Sequence, residues 1–82
     1  MERKNVIGHN LRIIRKSKNC TQKDLVAKMN LQGIKIDEPM LSRIESETRP
    51  VFDYEVYAIA YALNIRIEDL FNKKKSLSIY NT

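Results

Sequence analysis

The polar side chains between residues 38 and 46 are spaced so that several of them can face the same molecule. Arg43 has a planar guanidinium group that can donate two parallel hydrogen bonds, and Glu38 has a carboxylate that can accept hydrogen bonds. In duplex DNA the guanidinium group matches guanine O6 and N7, and the carboxylate matches the amino group of cytosine. Each residue also has a simpler role. Arg43 can pair with Glu47 one helical turn away, and Glu38 can stabilise the positive end of a helix.

Catalytic groups are scarce, because the chain of 82 residues has one histidine and one cysteine. A nucleophile needs a base and an orienting group within hydrogen-bond reach, and His9 and Cys20 cannot supply that set. Zinc needs several His or Cys ligands at close spacing, and two glycines do not make a glycine-rich phosphate loop. We therefore expect a binding protein with no metal, cofactor or small-molecule ligand, and not an enzyme.

Residues 21–45 have the pattern of two short amphipathic helices joined by a bend. Thr21 can cap the first helix with Asp24 at the third helical position, and Asp37 can cap the second helix. Gly33 can end the first helix in a left-handed conformation, so we expect a positive φ there. The apolar positions at helical spacing are Leu25, Val26, Met29, Leu41 and Ile44. This layout is typical of a helix-turn-helix, whose second helix enters the major groove of DNA.

The motifs from residue 7 to residue 71, taken in order, resemble the Cro/phage-repressor (XRE) family of DNA-binding domains. Each motif is short, and the resemblance depends on the ordered set. The matching segments are Ile7-Gly8 with an arginine-containing first helix, Thr21-Gln22, Ser42-Arg43-Ile44-Glu45, Ile59-Ala60, Ala62-Leu63 and Glu68-Asp69-Leu70. The resemblance implies an all-α, five-helix repressor-like fold that binds double-stranded DNA through its third helix.

Three features depart from the family pattern. The connection between Met29 and Asp37 is about five residues longer than the family's tight turn. Glu47 stands where a glycine usually follows the recognition helix. Asp37 and Glu38 make the start of that helix acidic.

The candidate site residues follow from the pattern and the resemblance together. The base-reading candidates are Glu38, Pro39, Met40 and Arg43. Met40 can contact a thymine methyl or simply cover the core, and Pro39 offers only apolar contact because it has no N–H. The phosphate candidates are Thr21, Gln22, Ser42, Thr48, Arg49 and Arg12, with Arg15 and Lys16 added on charge alone. The resemblance implies that Gln22 also braces the recognition helix. The alternative is an ordinary surface residue in a first helical turn.

Charge is unevenly distributed along a chain whose net charge is +5. Residues 1–28 hold eight basic and two acidic residues, residues 29–72 hold four basic and eight acidic residues, and residues 73–75 are three lysines. A basic first helix beside a helix-turn-helix is the electrostatic pattern expected for binding phosphate. A solvated helix face is the simpler interpretation of the same charges.

We predict five helices, over residues 5–17, 22–30 or 31, 38–46, 53–63 and 67–72. The alternation in residues 34–36 predicts an extended segment with both isoleucines on the core, and Asn64 is expected in a left-handed conformation. Tyr54, Tyr57 and Tyr61 recur at helical spacing and form either the edge of the core or a dimer face. The alternation in residues 76–80 predicts either a short C-terminal strand that pairs with a partner chain or a frayed terminus.

The length predicts one domain, over residues 1–75, with a tail over 76–82. No apolar run is long enough to span a bilayer, and the first ten residues lack the apolar stretch of a signal peptide. One cysteine cannot form an internal disulfide, which fits the reducing cytoplasm. Cys20 is therefore expected to be an inert residue near a helix boundary.

The pattern as a whole indicates a sequence-specific DNA-binding transcriptional regulator in the cytoplasm, binding DNA as a monomer or as a homodimer. The alternative is a protein-interaction module on the same fold, such as an antitoxin-like or co-regulator partner. A third interpretation is nonspecific packaging of nucleic acid by basic charge.

Overall fold

The computed structural model describes residues 2–72, which form five α-helices and no strand. The helices are α1 (Gly8–Ser17), α2 (Gln22–Leu31), α3 (Glu38–Glu45), α4 (Asp53–Leu63) and α5 (Ile67–Phe71). The prediction of an all-α, five-helix fold is therefore confirmed. The predicted strand over residues 76–80 and the tail over 76–82 lie outside the described residues. Within the described part, no helix has the length and hydropathy needed to cross a membrane.

Three helix ends differ from the prediction, and the largest difference is at α1. This helix begins at Gly8 rather than at residue 5, because Asn5 connects two parts of the fold instead of joining the helix. Its side-chain oxygen accepts the backbone N–H groups of Ile7 and Gly8 at 3.0 and 2.8 Å. Its amide nitrogen donates to the carbonyl oxygens of Ile44 and Arg49 at 3.0 and 2.8 Å. α3 and α5 each end one residue earlier than predicted.

The helices enclose a core of aliphatic side chains and methionine. α2 packs against α3 and α4, α1 packs against α3 and α5, and α4 also packs against α5. The fully buried large side chains are Ile7, Leu11, Leu25, Met29, Leu41, Ile44, Ile59 and Leu70. Every helix contributes at least one of them or places one at its start, so the core holds α3 against the rest of the domain.

Local signals in the sequence set the starts of α2 and α3 and the end of α4 as predicted. The Thr21 hydroxyl accepts the Asp24 N–H, and the Asp24 carboxylate accepts the Thr21 N–H, each at 3.0 Å. The Thr21 bonds hold the pKa of the Asp24 carboxyl below its usual value. The Asp37 side chain accepts the Met40 N–H at 2.9 Å, which caps α3. Asn64 ends α4 with φ of 57°, in the left-handed region.

The connection between α2 and α3 is long and is pinned to the fold at several points. Gly33 has φ of +88°, as predicted for the residue that ends α2. The Asn30 side-chain amide donates to the carbonyl oxygens of Ile34 and Ile36 at 2.9 and 3.2 Å. Ile36 is buried and Ile34 packs partly on the core, as expected for the extended segment. The lengthened connection is therefore an ordered approach to α3.

Glu47 occupies the left-handed position after α3, with φ of 65°, where the family pattern has glycine. Its carboxylate is held by two contacts with the N-terminal part of the chain. One oxygen accepts the His9 N–H at the start of α1 at 3.1 Å, and the other lies 2.9 Å from Nε of Arg3. Gly8 is required beside it, because a Cβ at Gly8 would overlap the Ile44 carbonyl oxygen at the end of α3. This contact fixes the end of α3 against the start of α1.

Candidate nucleic-acid interface

One face of α3 is fixed by the core and the opposite face is open to solvent. Leu41, Ile44 and Glu45 are buried. The exposed positions recur one turn apart along the helix and are Glu38, Pro39, Ser42, Arg43 and Ser46, the last at its C-cap. Because the inner face is anchored by fully buried side chains, the outer face is presented as a rigid surface. This is the arrangement that a helix needs to read base edges in a groove.

Arg43 stands on this outer face with its guanidinium group available. Among residues 2–72 it forms no ion pair, and its expected alternative partner, Glu47, is bonded to Arg3 and to the His9 N–H instead. Glu38 is exposed as well and has no cationic partner in the described part of the chain. Met40 is partly buried and packs against the core, so covering the core is part of its role.

A polar cleft lies between α1, the start of α2 and α3. Its walls are Arg12 and Lys16 from α1, Gln22 from α2, and Ser42 and Ser46 from α3. Arg12 and Lys16 are one helical turn apart and both are exposed, so two cationic side chains stand beside the outer face of α3. The cleft brings together three of the predicted phosphate candidates: Arg12, Gln22 and Ser42.

A buried ion pair forms the floor of this cleft. The Arg15 guanidinium bonds both oxygens of Glu45, at 2.6 and 3.0 Å, and donates to the Cys20 carbonyl oxygen at 2.7 Å. Gln22 Nε2 donates to the same Glu45 carboxylate at 3.0 Å. The hydrogen bond to Glu45 raises the pKa of Arg15, against the opposing effect of burial. α1, α2 and α3 are thus joined at one carboxylate, and Gln22 contacts the recognition helix.

Arg15 is therefore not the surface cation that its charge predicted. It is 6% exposed, because it lies on the inner side of α1, out of phase with Arg12 and Lys16. The prediction that it is a phosphate candidate is corrected: its charge is matched inside the protein by Glu45. Cys20, beside it, is buried just before α2, and burial raises the pKa of its thiol.

Arg49 is also directed back into the protein. Its guanidinium bonds the two carboxylate oxygens of Glu55 at 3.0 and 3.1 Å, and donates to the Pro50 carbonyl oxygen at 2.9 Å. The Glu55 side chain is 3% exposed, so this pair is largely shielded from water. The hydrogen bonds to Glu55 raise the pKa of Arg49. These surroundings favour a structural role over the predicted phosphate contact.

Thr21, Ser46 and Thr48 supply exposed hydroxyl groups at the edges of the cleft and of α3. Thr21 caps α2, as described above. The Ser46 and Thr48 hydroxyl oxygens lie 3.0 Å apart, in the loop after α3. Ser46 was not among the predicted site residues. Its position three residues after Arg43, in the same turn of the helix, is the signal that places it on this face.

These features define a helix-turn-helix DNA-binding domain: a core-anchored second helix with an open polar face, flanked by exposed cations of the first helix. The chain belongs to the family of Cro/C1-type helix-turn-helix DNA-binding domains, whose family model matches residues 10–76. Neither a curated protein nor a solved structure matches the chain.

Proposed function

We propose that this chain is a sequence-specific regulator of transcription that binds double-stranded DNA in the cytoplasm. The observation that carries the proposal is the outer face of α3. It presents Arg43 and Glu38 without charge partners in the described residues, beside the cations Arg12 and Lys16. In this arrangement α3 supplies base contacts, and the cleft and helix ends supply phosphate contacts.

The proposed base-reading set is Glu38, Pro39, Met40 and Arg43. Arg43 donates two hydrogen bonds to a guanine, and Glu38 accepts one from a cytosine. Pro39 adds apolar contact at the first turn of α3, and the exposed part of Met40 contacts a thymine methyl.

The proposed phosphate set lies in the cleft and at its edges. The cleft residues are Arg12, Lys16, Gln22, Ser42 and Ser46. Thr21 stands at the start of α2, and Thr48 stands in the loop after α3. Arg49 is left out of this set because Glu55 already bonds it. Two cations and several neutral donors give a modest electrostatic contribution, and one recognition helix covers few base pairs. Two copies would read half-sites about 34 Å apart.

The test is selection of binding sites from random duplex DNA, followed by titration of the selected site and a scrambled one at several salt concentrations. We expect a recurring motif and an affinity that falls as salt rises. Replacing Arg12 and Lys16 together by alanine should flatten the salt slope by about 2 units, because each phosphate contact contributes about 0.9. Lys28→Ala is the control, since Lys28 is exposed in the last turn of α2, away from the cleft.

Equal affinity for selected and scrambled DNA would contradict sequence-specific binding. A second function is favoured by one feature, the exposed acidic pair Asp37 and Glu38 at the start of α3. These acids oppose phosphate and suit a basic protein surface, as in an antitoxin-like or co-regulator module. That function predicts no selected DNA motif, and this result separates it from DNA binding.

A further inference from the structure

A stripe of exposed aromatic side chains runs along the outer face of α4. Tyr54, Tyr57 and Tyr61 are 57%, 60% and 70% exposed, although Val56, Ile59 and Leu63 of the same helix are buried. Phe52, just before the helix, is half exposed, and its ring stacks on Tyr54 with the centroids 5.6 Å apart. We call Phe52, Tyr54, Tyr57 and Tyr61 the tyrosine face. The core is complete without these rings, so their exposure needs another explanation.

The tyrosine face is separate from the proposed DNA interface. α4 packs against α2 and α5, whereas the interface residues stand on α1, the start of α2, α3 and the loop after it. The sequence of α4 contains no lysine or arginine, so this helix has no cation with which to hold phosphate. Exposed tyrosine without neighbouring lysine is the composition typical of protein–protein contacts.

We propose that the tyrosine face is the surface through which two copies of this chain associate, with α4 antiparallel to the partner's α4. The inference rests on the proposed function in one respect: the pairing of two copies would double the contact with DNA. The spacing of the rings supports a two-fold arrangement. Tyr54 is three residues before Tyr57 and Tyr61 is four residues after it, about 4.5 and 6 Å along the helix. An axis near Tyr57 therefore places Tyr54 of one copy opposite Tyr61 of the other.

The charges near α4 also favour a second copy in this orientation. Each chain carries a net charge of +5, so two copies repel each other least at a surface without unpaired cations. Arg49 lies over the Phe52 ring, 5.7 Å from its centroid, but its charge is matched there by Glu55. The acids of α4 are Asp53, exposed at its start, and Glu55, which is buried and paired with Arg49. In an antiparallel pair, Asp53 of each copy approaches the segment after the other α4. Arg66 lies in that segment with a side chain that is 75% exposed. Its contacts with Glu68 and Asp69, at 3.7 and 4.0 Å, are long and mostly exposed, so they oppose a new partner only weakly.

The available area sets the strength of the contact. An aromatic side chain presents about 200 Å², so the exposed parts of the four rings amount to about 450 Å² per copy. Two copies would bury about 900 Å², which is near the lower limit for a specific interface and typical of transient association. We therefore expect dissociation on the order of micromolar concentration in free solution. Two neighbouring half-sites on one DNA duplex would strengthen the pairing.

The experiment is sedimentation of the full 82-residue chain over a concentration series. We expect a monomer–dimer equilibrium whose dissociation constant rises at least about 10-fold in Tyr57→Glu, because the substitution puts two like charges at the two-fold axis. Ile13→Glu is the matched control. Ile13 is also an exposed apolar residue, 47% exposed, but it lies on α1, which packs against α3 and α5. Circular dichroism verifies that each variant keeps its helices.

Disulfide trapping gives a second measurement that does not depend on weakening the dimer. Tyr57→Cys should form a reducible covalent dimer under mild oxidation, because the two-fold axis brings both copies of residue 57 together. Tyr61→Cys should form it much more slowly, since the two copies of residue 61 would be about 12 Å apart along the helices. Cys20 is buried and should not contribute.

Two results would overturn the proposal. One is a wild-type chain that stays monomeric at its highest soluble concentration. The other is a dimer that Ile13→Glu disrupts and Tyr57→Glu leaves intact. A monomeric chain that still selects a DNA motif would refute this inference and leave the proposed function standing. A dimer that selects no DNA motif would refute the proposed function and leave this inference standing.

Discussion

Arg43 is the residue on which base recognition is proposed to depend most. Its side chain is exposed on the rigid outer face of α3, and no carboxylate of the described chain bonds it. Leaving the guanidinium free in the unbound protein means that no internal ion pair must be broken when DNA binds. Arg15 and Arg49 differ in this respect, because each bonds a carboxylate that is almost fully buried.

Arg43→Ala should weaken binding to the selected site by about 1–3 kcal/mol and relax the choice of base at one position. The reason is the loss of two hydrogen bonds to one guanine edge. The measurement is titration against the selected site and its single-base variants. Lys28→Ala, which removes an exposed cation in the last turn of α2 away from the cleft, is the control and should leave base choice unchanged. Equal losses on selected and scrambled DNA for Arg43→Ala would instead mean a phosphate contact.

Arg49→Ala should act mainly on stability. Removing the guanidinium leaves the Glu55 carboxylate buried without its partner, which costs about 3 kcal/mol in the free energy of unfolding. Thermal or urea unfolding measures the loss. Arg66→Ala serves as control here, because its ion pairs are exposed and should contribute less than about 1 kcal/mol. If Arg49→Ala unfolds like the wild type and binds all DNA more weakly, the original assignment to phosphate is restored.

At the scale of helices and connections, the α2–α3 segment has two opposing requirements. It must span about five more residues than the family's turn and still deliver α3 in a fixed orientation. Gly33 permits the left-handed exit from α2, and Asn30 then fixes the extended segment through two carbonyl oxygens. Asp37 completes the path by capping α3. The extra length is therefore held by specific bonds and adds little freedom to the recognition helix.

Gly33→Val should destabilise the fold by about 1 kcal/mol or more, because a β-branched side chain is strained at positive φ. A Cβ at this position meets no heavy atom within 4 Å, so the loss reports backbone strain and not crowding. Gly33→Asn is the control and should lose less, since asparagine tolerates left-handed conformations. Equal melting temperatures for the wild type, Gly33→Val and Gly33→Asn would contradict the strain.

At the scale of the whole molecule, DNA binding and self-association are proposed for different surfaces. α3 and the cleft face one partner, and the tyrosine face of α4 meets the other, so both can be occupied together. If the domain comprises residues 1–75 and the tail residues 76–82, as predicted, both surfaces should work without the tail.

A chain ending at Lys75 should keep the melting temperature and the sedimentation behaviour of the full chain. The reason is that the core residues and the tyrosine face all lie within residues 7–70. Sedimentation and thermal unfolding of the two chains at matched concentrations measure this. If the shortened chain is monomeric where the full chain dimerises, the strand-pairing prediction for residues 76–80 becomes the better account of the dimer.

The sequence by itself determined the helices, their order and most of their ends. These depend on local chemistry: the reciprocal bonds of Thr21 and Asp24, the cap at Asp37, and the left-handed residues Gly33 and Asn64. Each signal acts within a few residues, so it can be read without knowing how the helices pack. The prediction for the start of α1 failed because Asn5 bonds to carbonyl oxygens 39 and 44 residues away.

Only the tertiary structure decided which arginines are free to meet DNA. Arg12, Arg15, Arg43 and Arg49 carry the same charge, and composition cannot separate them. Arg15 is matched by Glu45, 30 residues along the chain, and Arg49 by Glu55, whose burial depends on the packing of α4. A buried carboxylate is stable only when a cation and hydrogen bonds compensate for its lost hydration, so folding assigns those two arginines to the interior. Arg12 and Arg43 stay exposed, Arg12 on the wall of the cleft and Arg43 on the outer face of α3.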